Sequence, residues 1–135
     1  EKCTVGDDVV IGRGVAVENQ VVIGHRTKIQ TNAYITAYTV LEDHVFIAPC
    51  VITTNDNFMG RTEERFKYIS GPTVKRGARV GGGAVLLPGV VVERESFIAA
   101  GAVVNRNTEP GMVYVGVPAR PLRKVPDREK LEHHD

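Results

Sequence analysis

Aliphatic residues recur at every sixth position over most of this chain. One series runs Val5, Ile11, Val17, Ile23, Ile29, Ile35, Leu41, Ile47, and a second runs Val74, Val80, Leu86, Val92, Ile98, Val104. Neither an α-helix, with about 3.6 residues per turn, nor an alternating strand repeats with that period. The period therefore predicts a repeating unit made of one short strand and one corner.

A second column of small residues supports this interpretation. The residue four positions after each aliphatic residue is always Ala, Ser, Thr or Val, and glycine often follows the aliphatic residue directly, as at Gly6. We expect the aliphatic residue to point inward, the small residue to fit under the next corner, and glycine to tolerate tight backbone geometry. Three units then close a triangular coil, and successive coils stack as parallel strands about 4.8 Å apart. The predicted fold is all-β, a single-stranded parallel β-helix; a β-sandwich, the alternative, does not keep one register for so many repeats.

The repeat loses its phase between Ile52 and Val74, which predicts one extended loop over about 59–73. An excursion this long from a tight solenoid is usually functional, and a disordered insertion is the alternative. Its apolar residues favour packing on another surface, such as a neighbouring subunit; they are Phe58, Met59, Phe66, Tyr68 and Ile69.

The predicted β-helix covers 1–109, and a C-terminal extension follows over 110–135. Asp127 is expected to cap a short C-terminal helix over 128–134, and the extension is expected to cover that end of the coil. The N-terminal end begins at Glu1 and has no comparable cover, which favours additional coils before it.

Composition excludes several functional classes. The formal net charge is +1 and the pI about 8.1, so nothing predicts a nucleic acid or a membrane surface as a partner. The chain has neither a membrane-length apolar run nor a signal-peptide pattern. The two cysteines, Cys3 and Cys50, form no CxxC motif, which argues against a disulfide framework or a thiolate zinc site and favours a cytoplasmic location.

The repeats, the insertion and the segment 114–119 together resemble the hexapeptide-repeat acyltransferases. Within that family, 23–92 is similar to nucleotide-sugar N-acetyltransferases of bacterial surface-polysaccharide pathways. The matching segments are 28–32, 41–43, 45–49, 54–55, 60–61 and 72–78. The resemblance implies a left-handed coil, a homotrimer, and acetyl-CoA in the groove between adjacent subunits. The periodicity itself does not fix the hand, and the general rule for parallel crossovers favours the right-handed form.

The resemblance also suggests the chemistry. Many relatives place a His, as general base for a hydroxyl acceptor, soon after an Ile-x-Pro segment; here Pro49 is followed by Asn55 and Asp56 without a His. An amine depends less on such a base, because a fraction of it is neutral near pH 7. The sequence therefore favours N-acetylation of an amino sugar. In the similar subfamily, the Asn at the position of Asn55 orients the amine and the departing CoA sulfur takes the proton. Asp56 is the alternative base, and Asn55 as a plain turn former is the structural alternative.

Three further residues are candidates for contacts with a nucleotide-sugar substrate. Arg61, in the insertion, has a planar guanidinium suited to a pyrophosphate or a sugar carboxylate, or else is a solvated loop charge. Gln30 and Asn32 lie one coil before the active region; the alternative for both is a ladder of corner amides.

Acetyl-CoA is expected along the later coils. The predicted cofactor-binding residues are Gly83, Ala84, Gly101, Ala102, Ala119, Arg120 and Arg123. Gly83 and Gly101 are one full coil of three repeats apart and therefore stacked. Small residues there let the pantetheine arm approach the backbone, although the corner geometry alone also favours them. A further step of one coil from Gly101 reaches Ala119, and the two arginines that follow are candidates for the CoA phosphates.

Three other functions are compatible with the fold. An O-acetyltransferase is disfavoured by the missing His, and a non-catalytic scaffold is disfavoured by the long polar insertion. A carbonic-anhydrase type of enzyme needs three His ligands converging at a subunit interface. His44 lies one position beyond a full coil from His25, so the two occupy different positions of the repeat and do not stack. The remaining two histidines lie in the tail, and we therefore predict no metal site.

Overall fold

A computed structural model describes residues 1–134 of the chain. Fifteen very short strands alternate with corners, and two longer strands follow. They are β1 Thr4–Val5, β2 Val10–Ile11, β3 Ala16–Val17, β4 Val22–Ile23, β5 Lys28–Ile29, β6 Tyr34–Ile35, β7 Val40–Leu41, β8 Phe46–Ile47, β9 Ile52–Thr53, β10 Thr73–Val74, β11 Arg79–Val80, β12 Val85–Leu86, β13 Val91–Val92, β14 Phe97–Ile98, β15 Val103–Val104, β16 Met112–Val115 and β17 Arg120–Lys124. Among the described residues, helical structure is limited to short 3-10 segments, at Glu63–Lys67, Asp127–Glu129 and Leu131–His133, and none is long or apolar enough to cross a membrane.

The strands form the three faces of a left-handed parallel β-helix, as the resemblance implied. Sheet A has the order β1-β4-β7-β10-β13, sheet B β2-β5-β8-β11-β14-β16-β17, and sheet C β3-β6-β9-β12-β15. Paired residues are three repeats apart, as Val5 and Ile23 are. At the insertion, Val40 pairs with Thr73 instead of with Phe58, the residue three repeats later, so the coil accommodates the loop without breaking the stack.

The aliphatic column forms the core from the second coil onward. Ile23, Ile29 and Ile47 are at most 1% exposed, and the equivalent residues of the later coils are also fully buried. In the first coil, Val5 and Ile11 are 50% and 47% exposed, because they lie at the end of the stack. The predicted inward aliphatic face is thus confirmed for every coil that has neighbours on both sides.

Every corner between β1 and β15, apart from the one that carries the extended loop, turns at a residue with positive φ, three positions after the aliphatic residue. These residues are Asp8, Gly14, Gln20, Arg26, Asn32, Tyr38, His44, Cys50, Gly77, Gly83, Gly89, Glu95 and Gly101. The glycine directly after the aliphatic residue has a different purpose. A Cβ on Gly24 would lie 2.6 Å from the backbone nitrogen of Asp43, and one on Gly81 would lie 2.6 Å from that of Ala100. Close approach of successive coils, rather than backbone dihedrals, requires glycine there.

The C-terminal extension departs from the repeat. Phe97 pairs with Val113 instead of with Val115, the residue one full coil later, and β17 then folds back antiparallel to β16. The predicted short helix takes the form of two separate 3-10 turns. Asp127 lies inside the first turn, with its carboxylate 3.1 Å from the Lys130 ammonium, and does not cap it. The turns run back along the coil, where Glu129 pairs with Arg79 at 3.1 Å.

Candidate active site

The extended loop leaves the coil at the corner between sheets C and A, which we call the C–A corner. Its two stems are joined at the base, because the Ser70 N–H donates to the Asn55 carbonyl at 3.0 Å. Two stacked corners flank this base. Ala37 lies one coil below Asn55, and Gly89 one coil above, where its N–H donates to the Ser70 carbonyl at 2.9 Å.

Asn55 is partly buried at this loop base, and its side-chain amide is held from below. Its Nδ2 donates to the Ala37 carbonyl at 3.3 Å. Within residues 1–134 its Oδ1 accepts no hydrogen bond, so this oxygen is available to a donor from outside the chain. An amide held in this way has the chemistry needed to orient an amine, and the catalytic role of Asn55 stays a prediction.

Asp56, the alternative base, is instead engaged in organising the loop. Its carboxylate accepts hydrogen bonds from the N–H of Phe58 at 2.9 Å and of Gly60 at 2.8 Å, and from Arg65 at 3.3 Å. The Gly60 hydrogen bond, with those from Phe58 and Arg65, holds the pKa of Asp56 below its ordinary value despite some desolvation. A carboxylate with a lowered pKa and three donors is a weak general base.

Substituting Asp56→Ala is expected to loosen the loop without unfolding the coil. The amides of Phe58 and Gly60 should then exchange with deuterium several-fold faster at neutral pH. Because the folded-state pKa is lowered, the wild-type carboxylate contributes this order above its ordinary pKa of 3.8 and loses it as the pH falls through the lower folded-state value. Glu64→Ala, which removes an exposed carboxylate of the same loop, is the matched control. Equal exchange in both variants would contradict the role of Asp56.

The three substrate candidates lie at two different corners. Arg61 is exposed on the loop, and among the described residues its guanidinium has no partner. Gln30 and Asn32 lie at the corner between sheets B and C, which we call the B–C corner. The Asn32 side chain packs against Gly14, one coil below, and substrate contact by Gln30 or Asn32 stays a prediction. Within one chain, Gln30 and Asn32 are therefore separated from Asn55 by the width of sheet C.

The B–C corner of the later coils is an open, uncharged edge. The Gly83 N–H donates to the Pro49 carbonyl at 3.1 Å, and the Gly101 N–H to the Gly82 carbonyl at 2.9 Å, so these corners stack as predicted. A Cβ on Gly83 or Gly101 would meet nothing within 4 Å. The side chains of Ala84 and Ala102 are buried in the core, so a ligand at this edge would meet the two glycines and the backbone.

The predicted step from Gly101 to Ala119 is wrong, because the register between β14 and β16 is shorter than one full coil. Ala119 is buried, its N–H donates to the Val103 carbonyl at 2.8 Å, and its carbonyl accepts from Arg120 at 2.8 Å. Arg120 and Arg123 are exposed on β17 and face solvent. Contact of these three residues with a cofactor stays a prediction.

The buried hydroxyl of Thr39, under the loop base, was not predicted from the sequence. Thr39 Oγ1 is fully buried and has no hydrogen-bond partner within residues 1–134. At the equivalent position, the Thr27 hydroxyl accepts from the Val45 N–H at 3.2 Å. The counterpart of Val45 above Thr39 is Pro72, which has no N–H to donate. A threonine stacked under a proline is the sequence signal for this orphaned hydroxyl.

Two of the four histidines, His25 and His44, lie in neighbouring coils at one corner. His25 Nδ1 accepts from the Asp7 N–H at 2.8 Å, and the His25 carbonyl accepts from the His44 N–H at 2.9 Å, at the corner between sheets A and B. The other two, His133 and His134, lie at the end of the C-terminal extension, which runs back along the coil to this corner, where the Leu131 N–H donates to Glu95 Oε2 at 2.9 Å. In the described part of the chain, no group of three or more His, Cys, Asp or Glu residues is placed to hold a metal ion.

A family model described as bacterial transferase hexapeptide, with six repeats, matches residues 2–37. The same repeat continues through the three-repeat register of the remaining coils. The six-residue repeat described by this family model therefore runs through the coil, and we call the chain a hexapeptide-repeat protein for that repeat.

Similarity to individual proteins points to more than one activity for this hexapeptide-repeat protein. It is 39% identical over 134 residues to gamma carbonic anhydrase 1, mitochondrial, of Arabidopsis thaliana, with 90% of this chain and 46% of the relative covered. It is 34% identical over 97 residues to galactoside O-acetyltransferase of Escherichia coli, with 69% and 48% covered. The chain thus spans about half the length of these curated relatives.

Among solved structures, the hexapeptide-repeat protein is similar to a mutant perosamine N-acetyltransferase from Caulobacter crescentus, in complex with CoA and GDP-perosamine. The TM-score is 0.77 at 25% identity, with 90% of this chain and 50% of that chain covered.

Proposed function

We propose that this hexapeptide-repeat protein transfers an acetyl group from acetyl-CoA to the amine of a nucleotide-linked amino sugar. The observation that carries the proposal is the Asn55 amide, held by Ala37 at the loop base with its Oδ1 available to an amine. The similarity to an N-acetyltransferase that was solved with CoA and a GDP-linked sugar supports both substrate classes.

In the proposed reaction, the amine, the thioester and Asn55 each have one role. The neutral amine donates a hydrogen bond to Asn55 Oδ1, and its lone pair attacks the thioester carbonyl carbon. A C–N bond forms, the C–S bond breaks, and the leaving CoA sulfur takes the proton that the nitrogen loses. The products are the acetamido sugar and free CoA. Asn55 positions the nucleophile and accepts no proton itself.

The open B–C corner is the proposed place of the cofactor. The pantetheine arm would run past Gly83 and Gly101, where a side chain would otherwise project outward. Because this corner and Asn55 lie on opposite edges of sheet C, the complete site needs a second copy of the chain. A homotrimer, implied by the resemblance, would set the loop base of one copy beside the B–C corner of the next. The exposed side chains of Tyr34 and Ile52 on sheet C favour such a partner.

Two alternative functions have specific support. The galactoside O-acetyltransferase relative favours a hydroxyl acceptor. Such an acceptor needs a general base, and the carboxylate next to Asn55 in the loop stem is Asp56, whose oxygens already accept three hydrogen bonds. The carbonic anhydrase relative favours a zinc enzyme. One described chain does not fit a zinc ion, because it supplies no set of three ligands.

Acetyl-CoA should raise the melting temperature of the purified protein, because a ligand bound only by the native state stabilises it. Release of free CoA should then depend on a UDP- or dTDP-linked amino sugar. Gly83→Asn, which keeps a residue able to adopt positive φ but adds a side chain at the open corner, should reduce the thermal shift. CO₂ hydration together with bound zinc, and no acetyl transfer, would replace the proposal with the carbonic anhydrase activity.

A further inference from the structure

Tyr38 lies at the C–A corner directly beneath the extended loop. Its φ is +69°, a left-handed conformation that costs free energy in a bulky side chain. Within residues 1–134, it is the only tyrosine or phenylalanine with positive φ. At the equivalent position two coils later stands Gly89, which adopts this conformation without strain. The fold therefore does not need an aromatic ring at this corner.

The ring is not part of the hydrophobic core. Tyr38 is 50% exposed. In the described part of the chain, its hydroxyl makes no hydrogen bond, and its ring contacts no other aromatic ring or cation. A strained, half-exposed aromatic residue outside the hydrophobic core is a candidate for contact with a ligand.

The backbone around Tyr38 contacts both stems of the extended loop at the candidate site. The carbonyl of the preceding residue, Ala37, holds the Asn55 amide. The returning stem of the loop packs directly above, since a Cβ on Gly71 would lie 2.6 Å from the Tyr38 carbonyl carbon. Tyr38 thus stands at the same loop base as the amide that is proposed to orient the amine.

We propose that Tyr38 is a specificity-determining residue whose ring packs against the face of the acceptor sugar; this inference rests on the proposed N-acetyltransferase function. The axial C–H groups of a pyranose present a weakly positive, apolar face, which matches the negative face of an aromatic ring. An amino sugar bound with its amine at Asn55 Oδ1 would bring this ring face beside Tyr38.

The test is the KM for the nucleotide amino sugar. Tyr38→Gly should raise this KM about tenfold, while Tyr38→Phe, which keeps the ring, should leave it near the wild-type value. The KM for acetyl-CoA should be unchanged in both variants. Gln20→Gly, at the same corner one coil earlier, is the matched control and should have no effect on either constant.

A second variant guards against a folding defect, since Tyr38→Asn removes the ring and asparagine tolerates positive φ. Inhibition by the free nucleoside diphosphate, which lacks the sugar, distinguishes contact with the sugar from contact with the base. A Ki in the Tyr38 variants equal to that of the wild type supports sugar contact. A raised Ki would assign Tyr38 to the base and overturn the proposal. Wild-type KM values in both the Gly and Asn variants would also overturn it and leave the acetyltransferase function standing. Absence of acetyl transfer by the wild-type protein would instead overturn the proposed function, and the role of Tyr38 with it.

Discussion

Asn55→Ala is expected to lower kcat for acetylation of the amino sugar about a hundredfold, because the amine loses the acceptor that orients it toward the thioester. The coil should stay intact, since the side chain makes a single 3.3 Å hydrogen bond to Ala37 and the backbone bond to Ser70 is kept. Steady-state rates of CoA release, measured at saturating acetyl-CoA, report the change. The KM for acetyl-CoA should remain at its wild-type value, because the cofactor edge lies at the other corner.

The chain offers a matched control for this experiment. Asn19 occupies the same corner two coils before Asn55, and its carbonyl accepts from the Tyr38 N–H at 3.3 Å. Asn19→Ala should leave kcat unchanged. An undiminished kcat in Asn55→Ala would remove the catalytic assignment and leave Asn55 as a turn residue at the loop base.

Ile47→Ala is expected to destabilise the protein by about 2–5 kcal/mol, the largest effect on stability that we predict. Ile47 is fully buried and pairs with Ile29 below and Val80 above, so truncation leaves a cavity that the stacked coils cannot close. Urea unfolding, followed by circular dichroism at one fixed protein concentration, gives the change in unfolding free energy.

Ile11→Ala is the control, because Ile11 belongs to the same column and differs mainly in burial. Ile11 is 47% exposed at the end of the stack, and its truncation should cost under about 1.5 kcal/mol. Equal losses for the two variants would mean that Ile11 is covered in solution, for example by another chain.

The sequence predicted the coil well because the aliphatic residues that define the repeat are the residues that are buried. Each aliphatic residue such as Ile23 or Ile47 must point inward, and the shift in phase after Ile52 located the insertion. The hand of the coil came only from the resemblance. The residue that turns each corner was not predictable, since the position of positive φ accepts types as different as Asp8, Tyr38 and Gly83.

The site was less predictable, because it depends on contacts that cross the repeat. Nothing in the order of residues shows that Asp56 bonds to Phe58, Gly60 and Arg65 and is thereby a poor base. The shortened register that displaces Ala119 arises in the extension, where no aliphatic column constrains the pairing. The sequence did not predict a role for Tyr38, since the positive φ of a lone aromatic residue is known only from the structure.

The hydrogen bond that joins Asn55 to Ser70 has a consequence for how such proteins diversify. With both stems tied together, the free energy needed to close the loop grows only slowly with its length, and the coils above and below keep their register. The corner can therefore serve as a cassette position, where segments of other lengths and chemistries replace the present one while the scaffold is retained. New acceptor preferences would then arise by exchange of a peripheral segment, without any redesign of the interior.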